Sequence, residues 1–212
     1  MKKFLSGSIL VFALGVSGAM GNLLTNPGFE SQGATSQDAT NWVHWGGSRE
    51  SWQANDGSWS ATYHAYESSA GWFQDSPPGS VTEGEEYVGG AWFYNDLNAS
   101  WGYTNAFCQI KIEWYDASTN AVGAPVSMNF TAPGEIWTYY AVTGMAPSGV
   151  SFGRVVGYAS DSGIAQGSSG AGNLFMDTVS LNAVIPEPTT AMIMSIGLVG
   201  LHAVRRIRSR KQ

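Results

Sequence analysis

The chain has 212 residues, a formal charge of −6 and only 12% charged residues, and it is rich in Gly, Ser, Thr, Asn and aromatics. Long helical runs of Ala, Leu, Glu and Lys are missing, so an all-β sandwich or barrel is expected in place of a helical bundle. Between residues 22 and 185 only Arg49, Lys111 and Arg154 stand against fifteen acids, a formal charge of −12, which argues against nucleic-acid binding and favours divalent cations or neutral polymers.

Met1-Lys2-Lys3 is a short positive region ahead of the apolar run Phe4 to Val16, and small residues follow at Ala19 and Gly21. That order predicts a signal peptide over residues 1–21, cut by signal peptidase near Asn22. Residues 22–182 are then divided into short runs by Gly, Pro, Asn and Ser clusters, starting with the turn Asn26-Pro27-Gly28. In the run Tyr87 to Tyr94, Tyr87, Gly89, Ala91 and Phe93 share one phase and Val88, Gly90, Trp92 and Tyr94 the other. Over 107–116, Cys108, Ile110, Ile112 and Trp114 alternate with Gln109, Lys111, Glu113 and Tyr115. Trp137, Tyr139 and Ala141 alternate with Thr138, Tyr140 and Val142, and Trp137 is assigned to the core phase. Phe175, Asp177, Val179 and Leu181 share the phase of the last run. Period-two patterns of this kind predict strands with one face in a core. Cys108, the single cysteine, fits a small buried apolar residue.

The C-terminal end has three parts. Residues 183–188 form a linker carrying Pro186, Glu187 and Pro188; residues 189–204 form an apolar span; residues 205–212 hold the basic cluster with Arg205, Arg206 and Arg208. A 16-residue helix is about 24 Å long, close enough to a hydrocarbon core of about 30 Å for flanking residues to cover the difference. A transmembrane helix with a cytoplasmic basic tail is therefore expected, leaving the domain outside the membrane.

This tripartite tail resembles the PEP-CTERM sorting signal over residues 186–211. The resemblance implies an exosortase-type transpeptidase as partner, and a tail that anchors the chain transiently before it is cut near the proline-glutamate-proline sequence. A plain single-pass anchor is the alternative. Within the domain, the ordered landmarks NLLTNPGFES, GSWSATYH, WFQD, EGEEYVGGAWFY, QIKIEWYDASTNAVG, EIWTYYAVTGMAP and NLFMDTVSL resemble carbohydrate-binding modules of the family 4/9/22 type. That resemblance implies an antiparallel two-sheet jelly-roll sandwich with a galactose-binding-like topology.

Two candidate sites follow. The resemblance implies structural calcium between Glu30 and Asp177, with main-chain carbonyls and Asp56 completing a shell of six to eight oxygens. A lone carboxylate in the apolar phase would be costly to bury without a partner, and two carboxylates at a solvated strand edge are the alternative. The second site is a sugar-binding platform. All nine tryptophans fall between Trp42 and Trp137, and pyranose C–H faces stack on aromatic rings while their hydroxyls take polar partners. Trp92 and Tyr94, with Gln109, Lys111, Glu113 and Tyr115, would form one platform if their strands share a sheet, with Trp101 and Tyr103 at its rim. Cover by a loop, or a protein contact, are the competing uses of those aromatics. His44 and His64 lie in no metal-ligand spacing, and no nucleophile elbow, phosphate loop or cysteine pair is present. The expected function is non-catalytic polysaccharide binding at the cell surface or in the extracellular matrix. A structural or adhesive matrix protein is the alternative, and a glycan-active enzyme a distant third.

Overall fold

The computed structural model describes residues 21–64, 69–96, 107–131, 133–160 and 173–184. The leader up to residue 20, Trp101, Tyr103 and the tail with Pro186, Glu187, Pro188, Arg205, Arg206 and Arg208 lie outside the described residues. Ten strands form among the described residues: β1 (Val43–Trp45), β2 (Gly47–Glu50), β3 (Ser60–Tyr63), β4 (Ala70–Asp75), β5 (Glu86–Asp96), β6 (Cys108–Tyr115), β7 (Val126–Phe130), β8 (Thr138–Met145), β9 (Phe152–Ala159) and β10 (Asn173–Ala183). They make two five-stranded sheets, ordered β1-β4-β9-β6-β7 and β2-β3-β10-β5-β8, with every pairing antiparallel. This is the expected jelly-roll sandwich.

The core forms where the apolar phases of the two sheets meet. Tyr87, Ala91 and Phe93 of β5 and Cys108, Ile110 and Ile112 of β6 are all fully buried, as the alternation predicts. They face one another: Tyr87 packs edge-on against Trp114, with centroids 5.9 Å apart. Burying a side chain of this size contributes about 1.5–3 kcal/mol, and the tight fit adds a steric constraint. A Cβ on Gly89 would lie 2.7 Å from Ile112 Cγ1 of the opposing sheet, so the strands approach this closely only with glycine there. Burial also pushes the Cys108 thiol up, in keeping with its role as an inert core group.

Two strands depart from the expected phase. In β8 the inward set is Tyr140 and Val142, with Tyr140 stacked on Phe130 at 3.8 Å, whereas Trp137 lies outside the core against Tyr94 at 5.5 Å. In β10 the register shifts between Asp177 and Ser180, and Thr178 sits at φ 50°. This bulge switches the faces. Leu174 and Met176 point into the core before it, Val179 and Leu181 after it, so Phe175 and Asp177 lie on the outer side of the sheet. The loosened backbone is bonded by the N-terminal segment: Val179 donates to the Pro27 carbonyl at 3.0 Å, and Asn22 Nδ2 donates to the Val179 carbonyl at 2.7 Å.

Candidate functional site

β5 and β6 lie in different sheets, so the single platform expected from the sequence does not exist. The reason is the core itself. Two strands whose apolar faces meet across a sandwich must send their polar faces in opposite directions. Gln109, Lys111, Glu113 and Tyr115 therefore line the outer face of the first sheet, and Trp92 and Tyr94 the outer face of the second.

On the first face, cross-strand pairing brings together residues from four strands. Trp45 of β1 stands opposite Gly71 of β4, Gly71 opposite Tyr158 of β9, and Tyr158 opposite Gln109 of β6. The Trp45 indole lies over Gly71, where a methyl group would collide with its Cη2, Cζ2 and Cζ3 atoms, and Trp45 stays 38% exposed. Phe73 lies 6.5 Å from Trp45, and Phe107 lies 5.9 Å from Tyr158. A partly exposed aromatic ring lying along a sheet is a surface on which a pyranose ring can stack.

A charged network runs beside these rings. Arg154 of β9 forks onto Asp75 of β4, with Nε to Oδ1 at 2.6 Å and Nη2 to Oδ2 at 3.0 Å. Its guanidinium lies 4.0 Å from the Phe73 centroid and 4.6 Å from that of Tyr115. Arg154 Nη1 donates to Tyr115 Oη at 3.2 Å, Tyr115 Oη donates to Glu113 Oε2 at 2.8 Å, and Lys111 Nζ meets Glu113 Oε1 at 2.6 Å. Burial raises the Glu113 carboxyl, but hydrogen bonds from Lys111 and Tyr115 outweigh it and hold the group below its ordinary value. Burial and then the Glu113 bond push the Tyr115 phenol up, and the Asp75 bond raises Arg154. Each cation is thus matched by an acid, and the face offers neutral hydrogen-bonding partners on an apolar floor.

A hollow of about 520 Å³ opens at one end of this face, lined in part by Val43, Phe73, Asp75, Pro77, Thr119 and Phe152. Its far wall is the turn after β6. There Asp116 Oδ1 accepts from the amides of Ser118 at 2.8 Å and Asn120 at 2.9 Å, and Thr119 takes φ 66°. The sequence reading missed Trp45, Phe73, Asp75, Arg154 and Tyr158. The available signal was the alternation Phe152, Arg154, Val156, Tyr158 against Gly153, Val155, Gly157, Ala159, in which the small set faces the core.

On the second face, Trp92 packs at 5.5 Å from Tyr139 and Tyr94 at 6.1 Å from Phe175. The segment between β2 and β3 covers part of this face through Trp52, 6.2 Å from Phe175. Trp92 and Tyr94 are half-buried, whereas Tyr139 is 43% exposed.

That same segment is pinned by the two acids proposed for calcium. Asp177 Oδ2 accepts from the amides of Asn55 at 2.8 Å and Asp56 at 3.0 Å. Glu30 Oε1 accepts from the amides of Ser58 at 2.8 Å and Trp59 at 2.9 Å. Asp177 has no exposed surface. Burial, with Glu30 adding repulsion, raises its carboxyl to about 6 against the pull of three main-chain N–H bonds. The Asp177 carboxylate is thus held by main-chain amides, with Glu30 as a second acid bonded to amides of the same segment. Among the described residues no third His, Cys, Asp or Glu joins the pair, so carbonyl oxygens would complete any shell. Asp56 contributes its amide to Asp177 and its Oδ1 to the Gly57 amide. His44 is occupied elsewhere, bonded to Asp38 at 2.9 Å and stacked 4.2 Å from Trp72.

No protein-family model and no curated protein sequence matches the chain. Solved structures do. The xylan-binding CBM22-1 domain of Paenibacillus barcinonensis Xyn10C aligns with TM-score 0.50 and 15% identity, over 79% of this chain and 97% of that one. Its fold is similar to this one. The enzymatically active domain of bacteriophage CBA120 tailspike protein 4 aligns with TM-score 0.56 and 16% identity, over 77% of this chain. The arabinose-bound α-L-arabinofuranosidase MgGH51 aligns with TM-score 0.54 and 15% identity, over 80% of this chain. The chain spans only 21% and 27% of the last two. At these identities the fold is what is shared.

Proposed function

We propose that the domain is a non-catalytic module that binds neutral polysaccharide on the outer face of the first sheet. The observation that carries this reading is the partly exposed Trp45 ring over Gly71, in one row with Tyr158 and Gln109 and beside the balanced Arg154–Asp75 and Lys111–Glu113 pairs. A glycan laid along that row would stack on Trp45 and exchange hydrogen bonds with Gln109, Glu113 and Arg154. The likeness in fold to a xylan-binding domain supports the ligand class. Calcium held by Glu30 and Asp177 would stiffen the segment before β3. The sequence of the two ends supports export by the leader and sorting by an exosortase-type transpeptidase, with the C-terminal helix in the membrane until the tail is cut.

Affinity electrophoresis of the protein through gels cast with xylan, galactan or mixed-linkage glucan tests the binding. At least one polymer should retard the protein, and Trp45→Ala should weaken retardation at least tenfold, about 1.4 kcal/mol. Retardation by a polymer that is untouched in Trp45→Ala overturns the assignment to this face.

A further inference from the structure

The aromatic device that marks the first face occurs again on the opposite side of the molecule. Tyr139 leaves β8, the edge strand of the second sheet, and the hydroxyl end of its phenol lies over Gly90 of β5, where a methyl group would collide with Oη and Cζ and press on the Ala141 Cβ at 2.9 Å. Its hydroxyl reaches β10, 3.3 Å from Ser180 Oγ. The ring therefore lies along the sheet across three strands, as Trp45 lies along the first sheet over Gly71. It keeps 43% of its surface exposed and is buttressed by Trp92 at 5.5 Å. Glycine at 90 leaves room for both the Tyr139 phenol and Ala141, so the pose of the side chain along the sheet depends on the sequence of β5.

The outward positions around Tyr139 are uncharged, and acids lie at the margin, where Glu135 and Asp96 act on Tyr94. Along β5, Val88, Gly90, Trp92 and Tyr94 separate Glu86 at one end from Asp96 at the other, and the neighbouring outward residues of β8 are Ala141 and Thr143. No Lys or Arg stands among these outward positions, so an acidic polymer would find no counter-charge. The occupant that fits is a neutral sugar chain, with its C–H face on Tyr139 and hydroxyls toward Ser180 and Thr143.

We propose that this second face binds neutral polysaccharide independently of the first, so that one domain joins two glycan chains. Stacked sheets lie about 10 Å apart, and their outer faces look in opposite directions, so one short oligosaccharide cannot occupy both. The second site stands without the first; the joining of two chains rests on the proposed function as well. A long polymer offers many sites, and two faces per domain then give cross-links and avidity without any new contact.

Titration calorimetry of the full chain with xylohexaose and β-1,4-galactotriose tests it, together with light scattering after mixing with long xylan or galactan. The expected result is two oligosaccharides bound per wild-type chain, one for Trp45→Ala, one for Tyr139→Ala and none for the double variant. Scattering should rise for the wild type alone. Tyr139→Leu keeps an apolar cover on Gly90 without a ring and should bind as Tyr139→Ala does; Tyr139→Phe should keep both sites. One ligand per wild-type chain, unaffected by Tyr139→Ala and by Tyr139→Leu, overturns the second face and leaves the first. Two ligands with no loss in Trp45→Ala overturns the first face and leaves the second. No binding of either probe overturns both.

Discussion

Asp177 gives the fold an unusual response to acid. Its carboxyl is raised from an ordinary value of 3.8 to about 6, chiefly by burial and then by Glu30. The gap between those values, at about 1.4 kcal/mol per pH unit, corresponds to about 3 kcal/mol. The sign follows from which state binds the proton more tightly. Below about 3.8 Asp177 is protonated in both folded and unfolded chains, and the folded state suffers no penalty for a buried charge. Above about 6 it is ionised in both, and the folded state carries the whole penalty. The stability that protonation contributes is thus fully present at low pH and lost as pH rises through 6. The assay is thermal melting in chelator between pH 4 and pH 7.5, with Asp177→Asn as the reference. The Asn variant keeps the shape but cannot titrate, so the difference between the two proteins isolates this one group from Asp38, Asp116 and Glu113, whose carboxyls are lowered. The wild type should gain about 5–10 °C relative to the variant between pH 7.5 and pH 4. A difference that is flat across that range, or that grows with rising pH, would refute the burial argument.

Calcium should act in the opposite sense at Asp177, because it needs the carboxylate. At a hundredfold excess over its dissociation constant it should stabilise the protein by about 2.7 kcal/mol at pH 7.5 and by much less at pH 5; a melt unmoved by calcium in chelator-treated protein counts against the metal site. Gly71→Ala should tilt Trp45 off the sheet and weaken polysaccharide retardation at least tenfold, while the melt moves by only a few degrees because the ring can swing into solvent; undiminished retardation would show that the pose of the ring over the sheet is irrelevant. Arg154→Gln should lower the denaturation midpoint in urea by the equivalent of about 1 kcal/mol, and Arg154→Lys should recover little of it because lysine lacks the fork that meets both oxygens of Asp75; full recovery by lysine would mean that charge alone matters there.

How much of this was legible in the sequence depended on how cleanly each strand separates large from small side chains. β6 alternates apolar and polar without exception, and its core face was readable from Cys108, Ile110, Ile112 and Trp114. β8 and the residue before it place aromatics on both faces, Trp137 and Tyr139 outward and Tyr140 inward, so hydrophobicity does not choose between them and Trp137 falls on the wrong side. β10 alternates in the sequence, but a bulge with Thr178 in the left-handed region exchanges its faces halfway. Asp177 falls in the apolar phase of the sequence, and a solvated strand edge is the alternative there; it is buried, but on the outer side of the sheet, under the segment that its own carboxylate holds by two amides. No local pattern encodes that cover, since it depends on residues more than a hundred positions away.

The division of the expected platform has a broader consequence. Every polar position assigned to it on β5 and β6 does face away from the core; the error lay only in joining the two strands edge to edge. In a sandwich, an apolar face in contact across the core means a polar face on the opposite exterior, so aromatics on both exteriors need separate uses. Glycines at 71 and 90 make room for the Trp45 indole on one sheet and for the end of the Tyr139 phenol on the other, a similar device used twice. A domain that only needed covered aromatics could place larger residues there and gain buried area at both positions. Keeping glycine forgoes that burial and leaves two partly exposed rings, an arrangement whose physical advantage lies in contact with something outside the chain.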